Sequence, residues 1–324
     1  MAVVVTGAAG FVALNIVERL LSQGRDVVGL DRIALPARAA RDFAALPGRL
    51  RMLEGTVESE ADLARAFGAA PVEAAVHCAV VTAGSAREAA DPGGIVAVNV
   101  LGAVATLMAA KRAGADRFVY PSSGAVPVHA ARGAAELDEE TTGTAPASLY
   151  GLTKRAAETI LPRIAETQGM RCVCLRFGSV YGPWEYATGV RDTLSPMLQA
   201  LEAARAGREI VLGPAWKGDF VYSRDVGAGV VQVLDAPRWR RTVYNLGGGR
   251  FESAADWCAA LARAMPGARW RLAAPGEAYE IESHTGFDRA KMRIDRIAGD
   301  CGVSPAFDFD AAARDWLGWL DRGG

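Results

Sequence analysis

The chain has 324 residues, 51% of them apolar, and a formal net charge of −1, so it can bury a sizeable core but lacks the electrostatic footprint of a nucleic-acid or membrane-surface binder. It shows no long uninterrupted apolar run, and residues 1–7 read as a strand entering a turn without the basic start of a signal peptide, so a cytoplasmic protein with no membrane partner is expected. Five cysteines, odd in number and without a Cys-x-x-Cys, read as reduced core thiols, and no metal site is expected.

In chain order, a β-branched apolar run over 2–5 meets Thr6-Gly7, and helical periodicity over 11–21 stops at Gly24. Strands follow over 27–30, 50–53 and 74–79. Helices lie between them over 37–46 and 59–67, the second opening on the capping pattern Ser59-Glu60-Ala61-Asp62. A helix over 99–113, a strand over 117–120, a long helix over 147–168 that Pro162 should kink or shorten, and a strand over 171–176 complete the first rhythm. Short buried strands alternating with helices imply a parallel sheet covered on both faces. Beyond Phe177 the rhythm loosens into helices over 193–206, 253–264 and 309–320, and a strand and helix over 220–222 and 225–234 that could return to the first domain. The expected division is 1–176, rejoined by about 218–236, as a nucleotide-binding domain, with 177–217 and 237–324 as a smaller mixed substrate domain.

Three motifs carry chemistry. In Thr6-Gly7-Ala8-Ala9-Gly10-Phe11-Val12-Ala13, Gly7 permits the tight turn after the strand, Gly10 lets backbone approach a pyrophosphate at the helix start, and Ala13 allows close packing of helix on strand. Asp31 ends the second strand, where a carboxylate can accept from the adenosine ribose hydroxyls and would repel a 2'-phosphate; Arg32 beside it could accommodate that phosphate. Tyr150 and Lys154 stand four apart on one helix, so the ammonium can favour a phenolate that carries protons, and Ser123 can hold a substrate oxygen during hydride transfer to or from a nicotinamide.

With these residues in hand the chain resembles the extended short-chain dehydrogenase/reductases, specifically the NAD-dependent epimerase/dehydratase family. The resemblance runs over nearly the whole chain. It rests on the Thr6–Phe11 loop, Asp31, Val76-His77-Cys78-Ala79, Asn99-Val100-Leu101-Gly102, Val119-Tyr120-Pro121-Ser122-Ser123, Tyr150 with Lys154, the run from Leu175 through Gly178 and Ser179 to Pro183, and Phe220-Val221-Tyr222-Ser223-Arg224-Asp225-Val226. It implies a doubly wound α/β Rossmann domain that holds NAD, a Ser123, Tyr150, Lys154 triad, and a carbohydrate-like substrate. The implied cofactor contacts are Gly7, Ala9, Gly10, Phe11, Val12, Asp31, Arg32, Thr56, Val57, Ala79, Val80, Val81, Asn99, Tyr150 and Lys154. Thr56 stands where the family usually has an aspartate near adenine. His77, inside an apolar run, reads as a packed strand residue.

Departures qualify the resemblance. Dehydratases carry an Asp-Glu pair where Gly124 and Ala125 stand, which disfavours dehydration. Nucleotide-sugar enzymes usually offer asparagines at Ser179 and within Thr193-Leu194-Ser195-Pro196. They also place an arginine before Asp219, where Gly218 follows Lys217, and an Arg-Pro-Gly-Asp segment where Glu282-Ser283-His284-Thr285-Gly286 stands. Diphosphate binding needs such cations. Substrate contacts are expected from Ser122, Ser123, Gly178, Ser179, Trp184, Arg191, Trp216 and Lys217, with Arg191 and Lys217 the candidate cations. Trp316 and Trp319 read as core anchors.

The expected activity is epimerisation of a nucleotide sugar or related sugar. The alternatives are net dehydrogenation of a small free sugar, sugar acid or hydroxy ketone, and a non-catalytic NAD-sensing regulator. The helices over 99–113 and 147–168 resemble the pair through which family members dimerise, so a homodimer is expected.

Overall fold

The computed structural model describes residues 1–187, 194–281 and 286–322. Seven parallel strands form the central sheet in the order Val243–Leu246, Arg171–Phe177, Arg117–Ser123, Val72–His77, Ala2–Thr6, Asp26–Asp31, Leu50–Glu54. From Ala2–Thr6 the chain winds outward through two strands, then crosses back to place Val72–His77 on the other flank. That reversal opens a crevice at the carboxyl end of the first strand.

Period-two alternation divides the sheet between two cores. Val3, Val5, Val76, Val119 and Val173 pack under the helices Phe11–Ser22 and Ser223–Asp235, while Val4, Val28, Ala75, Phe118 and Cys172 face the helices Glu60–Phe67, Gly102–Arg112 and Leu149–Thr167. The helix Ser223–Asp235 lies along Phe11–Ser22 in the layer against the sheet, whereas the strand before it, Phe220–Tyr222, stays outside the seven-stranded sheet. Val243–Leu246 also belongs to the sheet as its edge strand, although the sequence reading assigns everything after 236 to the substrate region. Four residues of mixed polarity, Val-Tyr-Asn-Leu, carry too little periodicity to read as a strand.

A third core gathers Tyr181, Met197, Trp257, Phe309 and Trp316 among the helices Pro196–Arg205, Ala254–Ala264 and Phe309–Asp321. Trp316 is buried there. Phe220–Tyr222 pairs in parallel with Ser179–Tyr181 and ties this region to the sheet.

Two helices differ from expectation. Leu149–Thr167 continues as one helix past Pro162 rather than ending there, with Ala157, Glu158, Leu161 and Ala165 burying one face around it. The helix expected over 99–113 begins earlier: Pro92–Val96 passes through a π-turn at Ala97–Leu101 into Gly102–Arg112. The combined 21 residues, whose most apolar 18-residue window has mean hydropathy 1.9, are long and apolar enough to cross a membrane by length and composition, which the sequence reading did not anticipate. The same helix buries Asn99 and Thr106 and packs against Glu60–Phe67, Leu149–Thr167 and the sheet, as a core helix of this fold does.

Candidate active site

The crevice is a cavity of about 380 Å³ at the carboxyl ends of the strands, with the glycine loop, Asp31 and Tyr150 all in its wall. Gly7 has φ +65°, and a Cβ there would meet the Ala79 backbone nitrogen at 2.5 Å, so only glycine brings the first turn this close to the strand Val72–His77. Gly10 caps Phe11–Ser22 without a side-chain hydrogen bond, and Val12 and Ala13 in the first helical turn line the cavity. This is the cradle that suits a pyrophosphate. Asp31 accepts from the Ala9 N–H at 2.9 Å and the Ile33 N–H at 3.2 Å, which fixes its carboxylate at the cavity wall beside Arg32. Thr56, Val57, Ala79, Val80 and Val81 complete the adenosine side and the floor. Asp62 accepts from the Thr56 N–H at 3.0 Å, and that bond lowers its pKa.

Not every expected cofactor contact is a wall residue. Ala9 is buried, with its N–H spent on Asp31 and its carbonyl accepting from the Tyr186 hydroxyl at 2.5 Å. Asn99 is buried too: it accepts from the Val81 N–H at 2.8 Å and donates to the Val81 carbonyl at 3.0 Å and to Thr153 Oγ1 at 3.1 Å. It thus braces the loop after the fourth strand against the Tyr150 helix, and the π-turn is the local distortion that carries it.

Tyr150, Lys154, Ser122 and Ser123 share the far wall. Ser148 caps the helix through the Gly151 N–H, which sets Tyr150 and Lys154 on the cavity face of its first turns. Lys154 is buried, donates to the Pro121 carbonyl at 2.6 Å, and holds its ammonium 4.5 Å from the Tyr120 ring centroid and 5.8 Å from that of Tyr150. Burial pushes its pKa down to about 8. Ser123 Oγ accepts from the Ala125 N–H at 3.1 Å. His77 lies behind this wall, with Nδ1 2.8 Å from Thr6 Oγ1 and its ring stacked on Phe118 and Tyr120; burial drops its pKa to about 3, so it is a neutral packed residue.

A side cavity of about 130 Å³ shares Ser123, Phe177 and Gly178 with the large one and reaches Ser179, Asp219 and Arg289. Gly178 and Ser179 are therefore lining residues of this side cavity. Trp184 is not: it is buried against Phe43 and Trp319, with its indole N–H donating to Glu18 at 2.7 Å, because the turn at φ +67° sends the ring into the core. Trp216 and Lys217 are exposed and line neither cavity, and the Lys217 ammonium sits 5.5 Å from the Phe251 ring centroid. Arg191 and His284 lie outside the described residues. The guanidinium that reaches this side cavity, Arg289, is marked by no local sequence motif. Among the described residues no cluster of three or more His, Cys, Asp or Glu could hold a metal.

The model of the NAD dependent epimerase/dehydratase family matches residues 3–247. UDP-glucuronate 4-epimerase 2 of Arabidopsis thaliana is 30% identical over 246 residues, covering 72% of this chain and 54% of its own length, so the chain spans about half of that relative. UDP-glucose 4-epimerase of Mycolicibacterium smegmatis is 29% identical over 265 residues, 82% of this chain and 83% of the relative. Among solved structures, UDP-glucose 4-epimerase of Thermotoga maritima shares the fold, with a TM-score of 0.80 over 99% of both chains at 21% identity. A glycine loop, a strand-end aspartate and a tyrosine-lysine helix around one crevice, together with a family match over most of the sheet domain, establish that this chain belongs to the NAD dependent epimerase/dehydratase family.

Proposed function

We propose that the protein is an NAD-dependent epimerase that inverts one hydroxyl-bearing carbon of a nucleotide sugar. The observation that carries this is the convergence of Ser123, Tyr150 and Lys154 on the cavity whose other end is the Gly7–Gly10 loop. The cradle fits the dinucleotide: Gly7 and Gly10 open the helix start to a pyrophosphate, and Asp31 faces the ribose position. NAD, when bound, supplies a hydride acceptor and donor.

The chain's own residues move the proton. Lys154 favours the charged form of Tyr150, the phenolate takes the proton of the substrate hydroxyl and later returns it, and Ser123 holds the same oxygen as it becomes a carbonyl. Positions 124 and 125, glycine and alanine, offer no acid or base for water elimination, which supports epimerisation over dehydration. The half-exposed to exposed apolar side chains Val96, Leu101, Leu152 and Ile160, on the paired helices Pro92–Arg112 and Leu149–Thr167, support a homodimer formed on that face.

The test is incubation of the NAD-loaded protein with UDP-glucose and UDP-glucuronate, followed by separation of the C4 epimers. Appearance of the epimer without accumulated NADH is expected. Steady NADH production with either compound or with a free sugar acid would replace the epimerase reading by that of a net dehydrogenase.

A further inference from the structure

The side cavity next to Ser123 holds one guanidinium. Arg289 Nη2 donates to Ser179 Oγ at 2.7 Å, and the Arg289 N–H donates to the Lys217 carbonyl at 2.8 Å, so both ends of the residue are anchored. Among the described residues no carboxylate stands within ion-pair distance of it. The nearest acid in the wall, Asp219, is committed to backbone: it accepts from the N–H groups of Gly248 at 2.7 Å, Gly249 at 2.9 Å and Met292 at 2.9 Å. Those bonds pin three chain segments around the cavity. A guanidinium has five N–H donors in a planar fork, and one bond to a serine leaves most of them for a ligand.

Size and charge narrow that ligand. At about 130 Å³ the side cavity has room for a small polar substituent and not for a nucleoside diphosphate. One cation with an acid close by matches a monoanion better than a phosphate dianion, whose second charge would lack a partner. A carboxylate meets the fork bidentately. Gly124 and Ala125, lining the same space, leave the floor small and uncharged. Because Ser123 lies in both cavities, a group seated at Arg289 is attached close to the carbon under attack.

We propose that Arg289 receives a carboxylate borne by the substrate, so that the enzyme acts on an acidic sugar of the uronate type in preference to a neutral hexose. This rests on the epimerase reading for the position of the reacting carbon. Partial burial pushes the Arg289 pKa below its ordinary value, while burial raises the Asp219 carboxyl to about 6. A bound carboxylate relieves the cost of that partly buried cation, which among the described residues has no carboxylate in direct contact.

The test is calorimetric titration of the NAD-loaded full chain, wild type and Arg289→Gln, with UDP, UDP-glucose, UDP-glucuronate, free glucuronate, glucose and glucose 6-phosphate. The wild type is expected to bind UDP-glucuronate about tenfold to hundredfold more tightly than UDP-glucose, the range of one charge-assisted bond, and the variant to lose that gap. Equal affinity of the wild type for the two sugar nucleotides overturns the proposal whether or not the variant folds. Equal weakening of UDP and UDP-glucuronate by Arg289→Gln also overturns it, by assigning the arginine to the diphosphate. Preference for glucose 6-phosphate over glucuronate does so as well. If no uridine compound binds, the nucleotide-sugar reading fails separately. Stronger binding of free glucuronate than glucose then still supports the carboxylate subsite, and equal binding overturns it.

Discussion

Glu158 and Arg176 meet in a buried bidentate ion pair, with Arg176 Nε donating to Oε1 at 2.9 Å and Nη2 to Oε2 at 2.8 Å, and Ser122 donates to the same Oε1 at 2.6 Å. The pair stands one helical turn beyond Lys154. It therefore locks the helix that carries Tyr150 to the strands that carry Ser123 and Phe177. Glu158→Ala leaves a guanidinium buried without its counter-charge, and the expected loss is about 3–5 kcal/mol of unfolding free energy. Urea denaturation checks this, and a loss under 1 kcal/mol would show that the pair does not hold the helix.

Lys154 is expected to work against stability. Its folded pKa, about 8, lies below the ordinary lysine value of 10.5, so below pH 8 the fold bears the full cost of burying the charge, and the cost lifts as pH rises from 8 to 10.5. The full penalty is of the order of 3 kcal/mol, partly offset by the bond to the Pro121 carbonyl. Lys154→Met should melt no lower than wild type at pH 7 while losing turnover, and its stability advantage should shrink above pH 8. A large drop in melting temperature at pH 7 would count against this.

His77 sets an acid limit with the same sign of pH dependence, in a lower window. It is neutral and packed in the fold, with a pKa of about 3 against 6.5 unfolded, so the unfolded chain binds the extra proton below pH 6.5 and stability falls with pH down to about 3. At pH 5 the loss is about 2 kcal/mol. His77→Phe, which keeps a ring between Phe118 and Tyr120, should flatten the pH dependence of melting between 6.5 and 5; an unchanged slope would assign acid sensitivity elsewhere.

Gly7→Ala places a methyl 2.5 Å from the Ala79 nitrogen in a left-handed turn. Strain of this kind costs more than about 1 kcal/mol, and the turn must open to relieve it. The expected outcome is loss of at least tenfold in NAD affinity by titration. Unaltered affinity would mean that the loop does not hold the pyrophosphate.

The parts of this site that the sequence discloses are those encoded by neighbours in the chain. Gly7 and Gly10 lie in one turn, and Tyr150 and Lys154 on one helix face, so spacing alone is informative. Arg289 and Ser179 are 110 residues apart and meet only through tertiary packing, so neither residue signals the other. Trp184 misleads for a related reason: among turn residues an aromatic ring reads as a ligand contact, whereas Phe43, Trp319 and Glu18, all distant in sequence, supply its actual environment. Pro162 does not end its helix, since the buried face on either side of it outweighs one missing hydrogen bond.

The most direct test of the account is the rate of C4 epimerisation by Tyr150→Phe, measured on protein shown by titration to bind NAD as the wild type does. Removal of one proton-transferring hydroxyl should lower kcat by about 10²–10⁴ with the fold intact. Turnover within threefold of wild type would contradict the assignment of Tyr150 as the acid and base of this site.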